Sequence, residues 1–324
     1  MSEIVSLLRL LNQPGELSSA FTVADACQAA AALLDGGVDD FEAGALLSGL
    51  SRHAAAPAVV MGLKDAVAAR MQPLSLPASG GPARPVVLPN FSCAVGGAVA
   101  APLLPVTALL LQRLGVPVII HGAFETTGGM AVTSVFRELG VLPCATRAQA
   151  EAQCAAGKVV LLPLTLVAPG LAAMMAQKAR LGADTPGHVL ASLLMPVSDG
   201  AAQAVACTAE TTDRVDMIAT EAAALLRARG SAVFGKPGCD LSWRERDAHA
   251  WQALFPADNG SGDARPAQPR AVAEWTQGIL HGKQALPVAV AHLLSGLLLV
   301  SGYAHDIHEA KAIAAVEAGA LAAA

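Results

Sequence analysis

A chain of 324 residues has length for one large or two medium domains, with ample core to fold without disulfides. Apolar residues make up 54% of it and aromatic residues only 3%, so the core is built from Ala, Leu and Val, and recognition of bases by aromatic platforms is disfavoured. The formal net charge of −5 argues against a wholesale polyanion binder, although residues 76–200 carry more Lys and Arg than Asp and Glu and leave room for a modest anion site.

From Glu3 to Arg70 the pattern is helical, with Leu7, Leu8, Leu10 and Leu11, then Val23–Leu34, Phe41–Leu50 and Val59–Val67. Thr22 reads as an N-cap with Asp25 at the third helical position, and Gly36-Gly37 as a stop. The expected result is a small all-helical N-terminal domain, residues 1–75, joined in space by helices of roughly 170–196. Its Ala-rich faces, Ala29–Ala32 and Ala54–Ala56, allow close helix approach, and a homodimer through these helices is the expected assembly. The Pro/Gly/Ser-rich stretch Gln72–Pro85 is a linker into an α/β domain, residues 76–324.

That domain is organised around Pro85–Gly140. Val86-Val87-Leu88 predicts a short strand, followed by Pro89-Asn90-Phe91-Ser92, a loop containing Gly96-Gly97, and a helix over Leu103–Leu114. A second strand, Val116–Ile120, ends at His121-Gly122. A loop with Glu125, Thr126, Thr127 and Gly128-Gly129 then opens the helix Val132–Leu139. Short apolar strands alternating with helices indicate a mainly parallel central sheet, and such sheets bind ligands where strands end and helices begin.

Further along, Gln149–Ala156 predicts a helix and Val159–Leu162 a strand ended by Pro163; Gly170–Arg180 and His188–Leu194 predict helices. Gln203–Cys207 reads as a strand, Arg214–Arg229 as a helix, and Ala232–Phe234 as a strand running into Gly235–Asp240. Residues 256–270 form a loose segment, and Ala271–Leu280 and Val288–Ala324 are helical. The first apolar run breaks at Arg9, so no secretory leader is expected. The apolar window Val288–Val300 contains His292, Ser295 and Gly296 and is too short to span a bilayer. The six cysteines show no CxxC or other metal-ligand spacing, consistent with reduced thiols and a cytoplasmic location.

Three glycine loops follow strands: Ser92–Ala98, Gly122–Gly129 and Gly235–Gly238. Their backbone amides could cradle phosphate, yet the first has no Lys, Ser or Thr after its glycines and matches neither a Walker motif nor GxGxxG. His121, at a strand end, is open to two readings: a ligand or acid/base group facing the cleft, or a histidine satisfied by backbone at a tight turn. His305, His308 and Glu309 could share a helix face but lack a further strong ligand nearby, so a solvated helix start is expected. Asp240 with Glu245 or Asp247 could hold Mg²⁺ or form an acidic loop. No Ser/His/Asp or Cys/His nucleophile signature is present, and no catalytic residue, metal or cofactor is assigned.

The order of helical bundle, linker, strand–loop–helix and strand ending in His121-Gly122 resembles anthranilate phosphoribosyltransferase and its glycosyltransferase family 3 relatives. Leu181-Gly182-Ala183-Asp184-Thr185 with Leu193–Pro196 is similar to the family's LGxRT…GPLxNP stretch, and Gly235–Asp240 to its glycine-and-acid loop. The departures concentrate where those enzymes hold phosphoribosyl pyrophosphate and Mg²⁺. Ser92-Cys93-Ala94-Val95-Gly96-Gly97 stands in place of a GTGGD loop, and Pro102-Leu103-Leu104-Pro105 in place of Asn-x-Ser-Thr. Ile120 replaces a lysine, Ala123 an asparagine, and Asp240-Leu241 an Asp-Glu metal pair. A pyrophosphate left without cations or hydroxyls in a desolvated cleft costs several kcal/mol, so transfer by the family's usual mechanism is not expected.

Within the family the chain is most similar to a YbiB-like branch, through Val87-Leu88-Pro89, Leu110–Gly115, Pro117–Gly122, and His188–Leu193 before Met195-Pro196. That resemblance implies a non-catalytic dimer that binds nucleic acid without sequence preference. Arg113, Lys178, Arg180 and Lys236 are the candidate phosphate contacts, and Asn90, Ser92, Gly96, Gly97, His121, Gly122, Glu125, His188 and Asp240 the vestigial ligand cleft. The alternative is a glycosyl or phosphoribosyl transferase acting on a small molecule of low charge in the cleft around Phe91, His121, Glu125 and His188.

Overall fold

The computed structural model describes residues 3–76, 83–90, 103–124, 131–182, 185–198, 200–207, 212–219, 221–229, 240–248, 250–257 and 268–323. It opens with four helices, α1 (Glu3–Leu11), α2 (Val23–Leu34), α3 (Asp40–Arg52) and α4 (Pro57–Ala68). Thr22 starts α2 by a reciprocal cap: its hydroxyl accepts from the Asp25 N–H at 3.2 Å, and the Asp25 carboxylate accepts from the Thr22 N–H at 2.8 Å. Leu7, Leu11, Phe21, Leu46 and Leu50 form the bundle's own core. The other face of α4 places Val60, Leu63, Ala66 and Val67 in the core beneath the sheet.

Seven strands form one sheet: β1 (Val86–Pro89), β2 (Val118–Gly122), β3 (Val159–Pro163), β4 (Ala202–Cys207), β5 (Ala224–Arg229), β6 (Asp240–Glu245) and β7 (Gln252–Phe255). Their order is β3-β2-β1-β4-β5-β6-β7, with β1 to β5 parallel and β6 and β7 antiparallel. Alternate residues serve two cores. Val86, Leu88, Val118, Ile120 and Leu226 pack beneath α5 (Leu103–Arg113) and α14 (Val288–Val300). Val87, Ile119, Val205 and Leu225 pack against α4, α9 (Pro169–Ala176), α11 (Gly187–Leu193) and α12 (Thr212–Ile218). Strands buried on both faces read as unbroken apolar runs, which is why their sequence was recognisable. The chain extends outward from β1 to β3 on one side and from β4 on the other; the crevice beyond the ends of β1 and β4 is therefore the topological switch point.

Three differences from the sequence reading matter. Arg214–Arg229 is not one helix: α12 ends at Ile218 and Ala224–Arg229 is the strand β5. Ala, Leu and Arg favour helix intrinsically, but pairing with β4 and β6 on both sides overrides that preference. The stretch at Asp240, read as either a Mg²⁺ site or an acidic loop, is likewise a strand, β6, while the strand expected over 232–234 lies outside the described residues. At the C-terminus, Val288–Ala324 divides into α14 and α15 (Ile307–Ala323). Among the described residues, no helix is long and apolar enough to cross a membrane.

Candidate functional site

Two of the expected cleft segments meet where β1 and β2 end. The backbone N–H of Asn90 donates to the His121 carbonyl at 2.6 Å, and its side-chain amide donates to the Ala123 carbonyl at 2.7 Å. Asn90 is 1% exposed, and it locks the β1 exit onto the β2 exit. Gly122 closes β2 with φ 146°, a conformation that L side chains rarely adopt.

His121 lies between them and is fully buried. It shares a sheet face with Ile119 by alternation, opposite Leu162 of β3 and Pro89 of β1. Neither ring nitrogen has a hydrogen-bond partner among the described residues, so the side chain is not the backbone-satisfied histidine of the blander expectation. Burial pushes its pKa down to about 4, and the imidazole is neutral at pH 7. A buried polar group left unpaired costs roughly 1–3 kcal/mol, and this one sits where α/β folds receive ligands.

Two of the other expected cleft residues, His188 and Asp240, are described and have partners of their own. His188 is buried at the start of α11, where Nδ1 accepts from the Thr185 N–H at 3.1 Å and lies 3.0 Å from the Thr185 hydroxyl. That arrangement fixes the turn into the helix. Asp240 begins β6, three strands from β1 in the sheet order, or about 14 Å at the usual inter-strand spacing. There it faces Arg229 in register and accepts from Arg229 Nη2 at 2.9 Å, which holds the arginine pKa above its ordinary value through that hydrogen bond. Leu241, the next residue, is buried in the core. Ser92, Gly96, Gly97 and Glu125 lie outside the described residues, as does Lys236.

The remaining basic candidates are dispersed. Arg113, at the end of α5, lies 3.7 Å from the Glu317 carboxylate. Lys178 and Arg180 occupy the short helix α10 (Lys178–Leu181), which continues from α9 on the opposite side of the sheet. Arg180 bridges to Asp40 of α3 at 2.9 Å, with both side chains well exposed, so it ties α10 to the bundle. At the C-terminal helix start, Asp306 Oδ1 accepts from the His308 and Glu309 N–H groups, and Glu309 accepts from the His305 N–H. These acids cap α15. Among the described residues no group of three or more His, Cys, Asp or Glu side chains has metal-holding geometry.

Sequence reasoning missed a denser basic cluster, Arg227 and Arg244 over Trp251 with Arg229 next along the same face of β5, because it read Arg227 and Arg229 on a helix. Alternation of Leu225, Arg227 and Arg229 with Ala224, Leu226 and Ala228 is the signal that could have revealed a strand with one charged edge.

No family model matches the chain. The uncharacterized protein YbiB of Escherichia coli (strain K12) is 26% identical over 288 residues, covering 86% of this chain and 88% of that protein. The structure is similar to anthranilate phosphoribosyltransferase from Thermus thermophilus, with a TM-score of 0.75 at 19% identity over 100% of this chain and 96% of that one. The Saccharomyces cerevisiae enzyme in complex with PRPP and Mg gives a TM-score of 0.74 at 14% identity over 99% and 94%. The architecture is that of the anthranilate phosphoribosyltransferases; at these identities the likeness is one of fold.

Proposed function

We propose that the chain is a non-catalytic protein of this fold, its phosphoribosyl pyrophosphate site eroded, that binds nucleic acid without sequence preference as a cytoplasmic homodimer. The observation that carries the reading is the character of the crevice. The described residues closing β1, β2, β3 and β4, namely Pro89, Asn90, His121, Gly122, Pro163 and Cys207, include no cation and no carboxylate, and the histidine among them is neutral at pH 7. Among these residues a polyphosphate with its metal finds no charged group to hold it. Arg113 and Arg180 instead stand exposed on helices, as phosphate-backbone contacts do. The exposed Phe41 at the start of α3, with Val23 at the start of α2, supports self-association through the N-terminal helices.

Binding carried by phosphate contacts releases counterions, so affinity for a labelled oligonucleotide is expected to fall at least about tenfold between roughly 50 and 200 mM salt. Fluorescence anisotropy at several salt concentrations measures this, with sequences of different composition binding alike. Absence of binding at the lowest salt overturns the proposal.

His121 favours a second reading. Two ring nitrogens without a partner among the described residues, beside Asn90, suit a small ligand of low charge, as a glycosyl or phosphoribosyl transferase acting on a small molecule would require. Turnover of any ribosyl donor that is lost in His121→Met would establish this reading in place of the first.

A further inference from the structure

We propose that the face of β5 and β6 around Trp251 is a phosphate-contact site for the nucleic-acid backbone. The inference rests on the nucleic-acid reading above and adds to it a place and a set of residues. In the antiparallel register Arg227 faces Ser242, Arg229 faces Asp240 and Leu225 faces Arg244. Alternation puts all three arginines on the same side of the sheet. Successive positions on one strand face are about 6.8 Å apart, a step that suits neighbouring phosphates of an extended strand.

Arg227 is only 7% exposed. Its Nε donates to the Ser242 hydroxyl at 3.2 Å, and its guanidinium lies 3.8 Å from the centroid of Trp251. Among the described residues no carboxylate is bonded to it. Burial pulls its pKa below the ordinary arginine value, the expected sign for a cation short of a counter-charge. Arg244 stands over the same indole at 4.7 Å. Its Nη2 is 3.2 Å from Asp216 Oδ1, while its Nε is buried with no partner among the described residues. Asp216 Oδ1 also accepts from Trp251 Nε1 at 3.2 Å. One carboxylate oxygen therefore serves an indole and an arginine, with a second guanidinium on the same ring.

Arg229 has its own carboxylate in Asp240. Arg246 donates to the backbone carbonyls of Ala222 and Glu221 beyond the end of β6. Of the charged residues named on this face, Arg227, Arg229 and Arg244 outnumber Asp216 and Asp240. The indole fixes guanidinium planes by cation–π contact, and planar guanidinium forks match phosphate oxygens. Trp251 supports the arginines here and is not required as a platform for bases. Contacts of this type carry no base information.

The test is anisotropy of a fluorescein-labelled oligothymidylate with wild type, Arg229→Gln, Arg244→Gln, Asp216→Asn and the control Arg270→Gln, each checked for folding by its urea midpoint. Arg270 is an exposed residue paired with Glu274 on α13 (Pro269–Leu280) and removes the same charge elsewhere. Each of Arg229→Gln and Arg244→Gln is expected to weaken binding about fivefold and to shallow the log–log salt slope by about one. Asp216→Asn is expected to tighten binding, an effect that loss of a purely structural contact does not produce, and Arg270→Gln to leave it within about twofold. Wild-type binding that neither arginine variant weakens overturns this site and leaves the nucleic-acid reading standing. Wild type that does not bind overturns both. Inorganic phosphate should displace the oligonucleotide only as much as KCl of equal ionic strength; saturable displacement beyond that assigns the arginines to a free phosphate ligand and overturns the nucleic-acid assignment.

Discussion

Between pH 7 and pH 4 the protein is expected to lose up to about 3 kcal/mol of stability through one side chain, His121. Burial depresses its pKa from 6.5 to about 4, so between those values the unfolded chain binds a proton that the folded chain refuses. Stability therefore falls as pH falls through this window and is fully present above it. Asp25, Asp35, Asp40 and Asp306, whose pKa values lie below the ordinary 3.8 because of hydrogen bonds to their carboxylates, lose their contributions only at lower pH. The two effects separate along the pH axis. Urea midpoints of wild type and His121→Met at pH 7, 5.5 and 4.5 measure the difference. The variant should show a much flatter slope over this interval. Equal slopes for the two proteins would mean that His121 is solvated or partnered, and the neutral-crevice argument would fail with it.

Gly62→Ala is expected to destabilise the helical bundle by about 3 kcal/mol, at the upper end of ordinary overpacking. A Cβ at position 62 would meet Ala26 Cβ at 2.5 Å and, at 2.6 Å each, the Cys27 nitrogen and the Val23 carbonyl oxygen. Two of these are backbone atoms of α2, so no side-chain rotation relieves the clash and the two helices must separate. Because α4 also supplies Val60, Leu63, Ala66 and Val67 to the core under the sheet, the damage should spread beyond the bundle. Chemical denaturation gives the loss directly, and an unchanged midpoint would show that α2 and α4 are further apart than described. Gly44, with nothing near its added Cβ, is the matching control, expected to tolerate alanine or gain slightly from it.

Much of the architecture was legible because its signals are local. The short apolar runs at Val86–Leu88 and Val159–Leu162 can be little other than strands buried on both faces, and Thr22 with Asp25 carries its own capping chemistry. His121-Gly122 was visible as a strand end for the same reason, and the structure adds what sequence could not, the lock from Asn90 across to the His121 and Ala123 carbonyls. Failure came where meaning depends on partners distant in the chain. Ala224–Arg229 has the composition of a helix and becomes a strand only between β4 and β6. Asp240 looked like half of a metal pair, and its role depends on the register that sets it opposite Arg229. Trp251 drew no attention because nothing local shows that Arg227 and Arg244 converge on it.

The account turns on a crevice that no longer grips the donor of its fold, and calorimetric titration of the protein with phosphoribosyl pyrophosphate in excess Mg²⁺ addresses that most directly. The expected result is no saturable heat, with oligonucleotide binding at low salt intact in the same preparation. Saturable, magnesium-dependent binding of the donor would contradict the account.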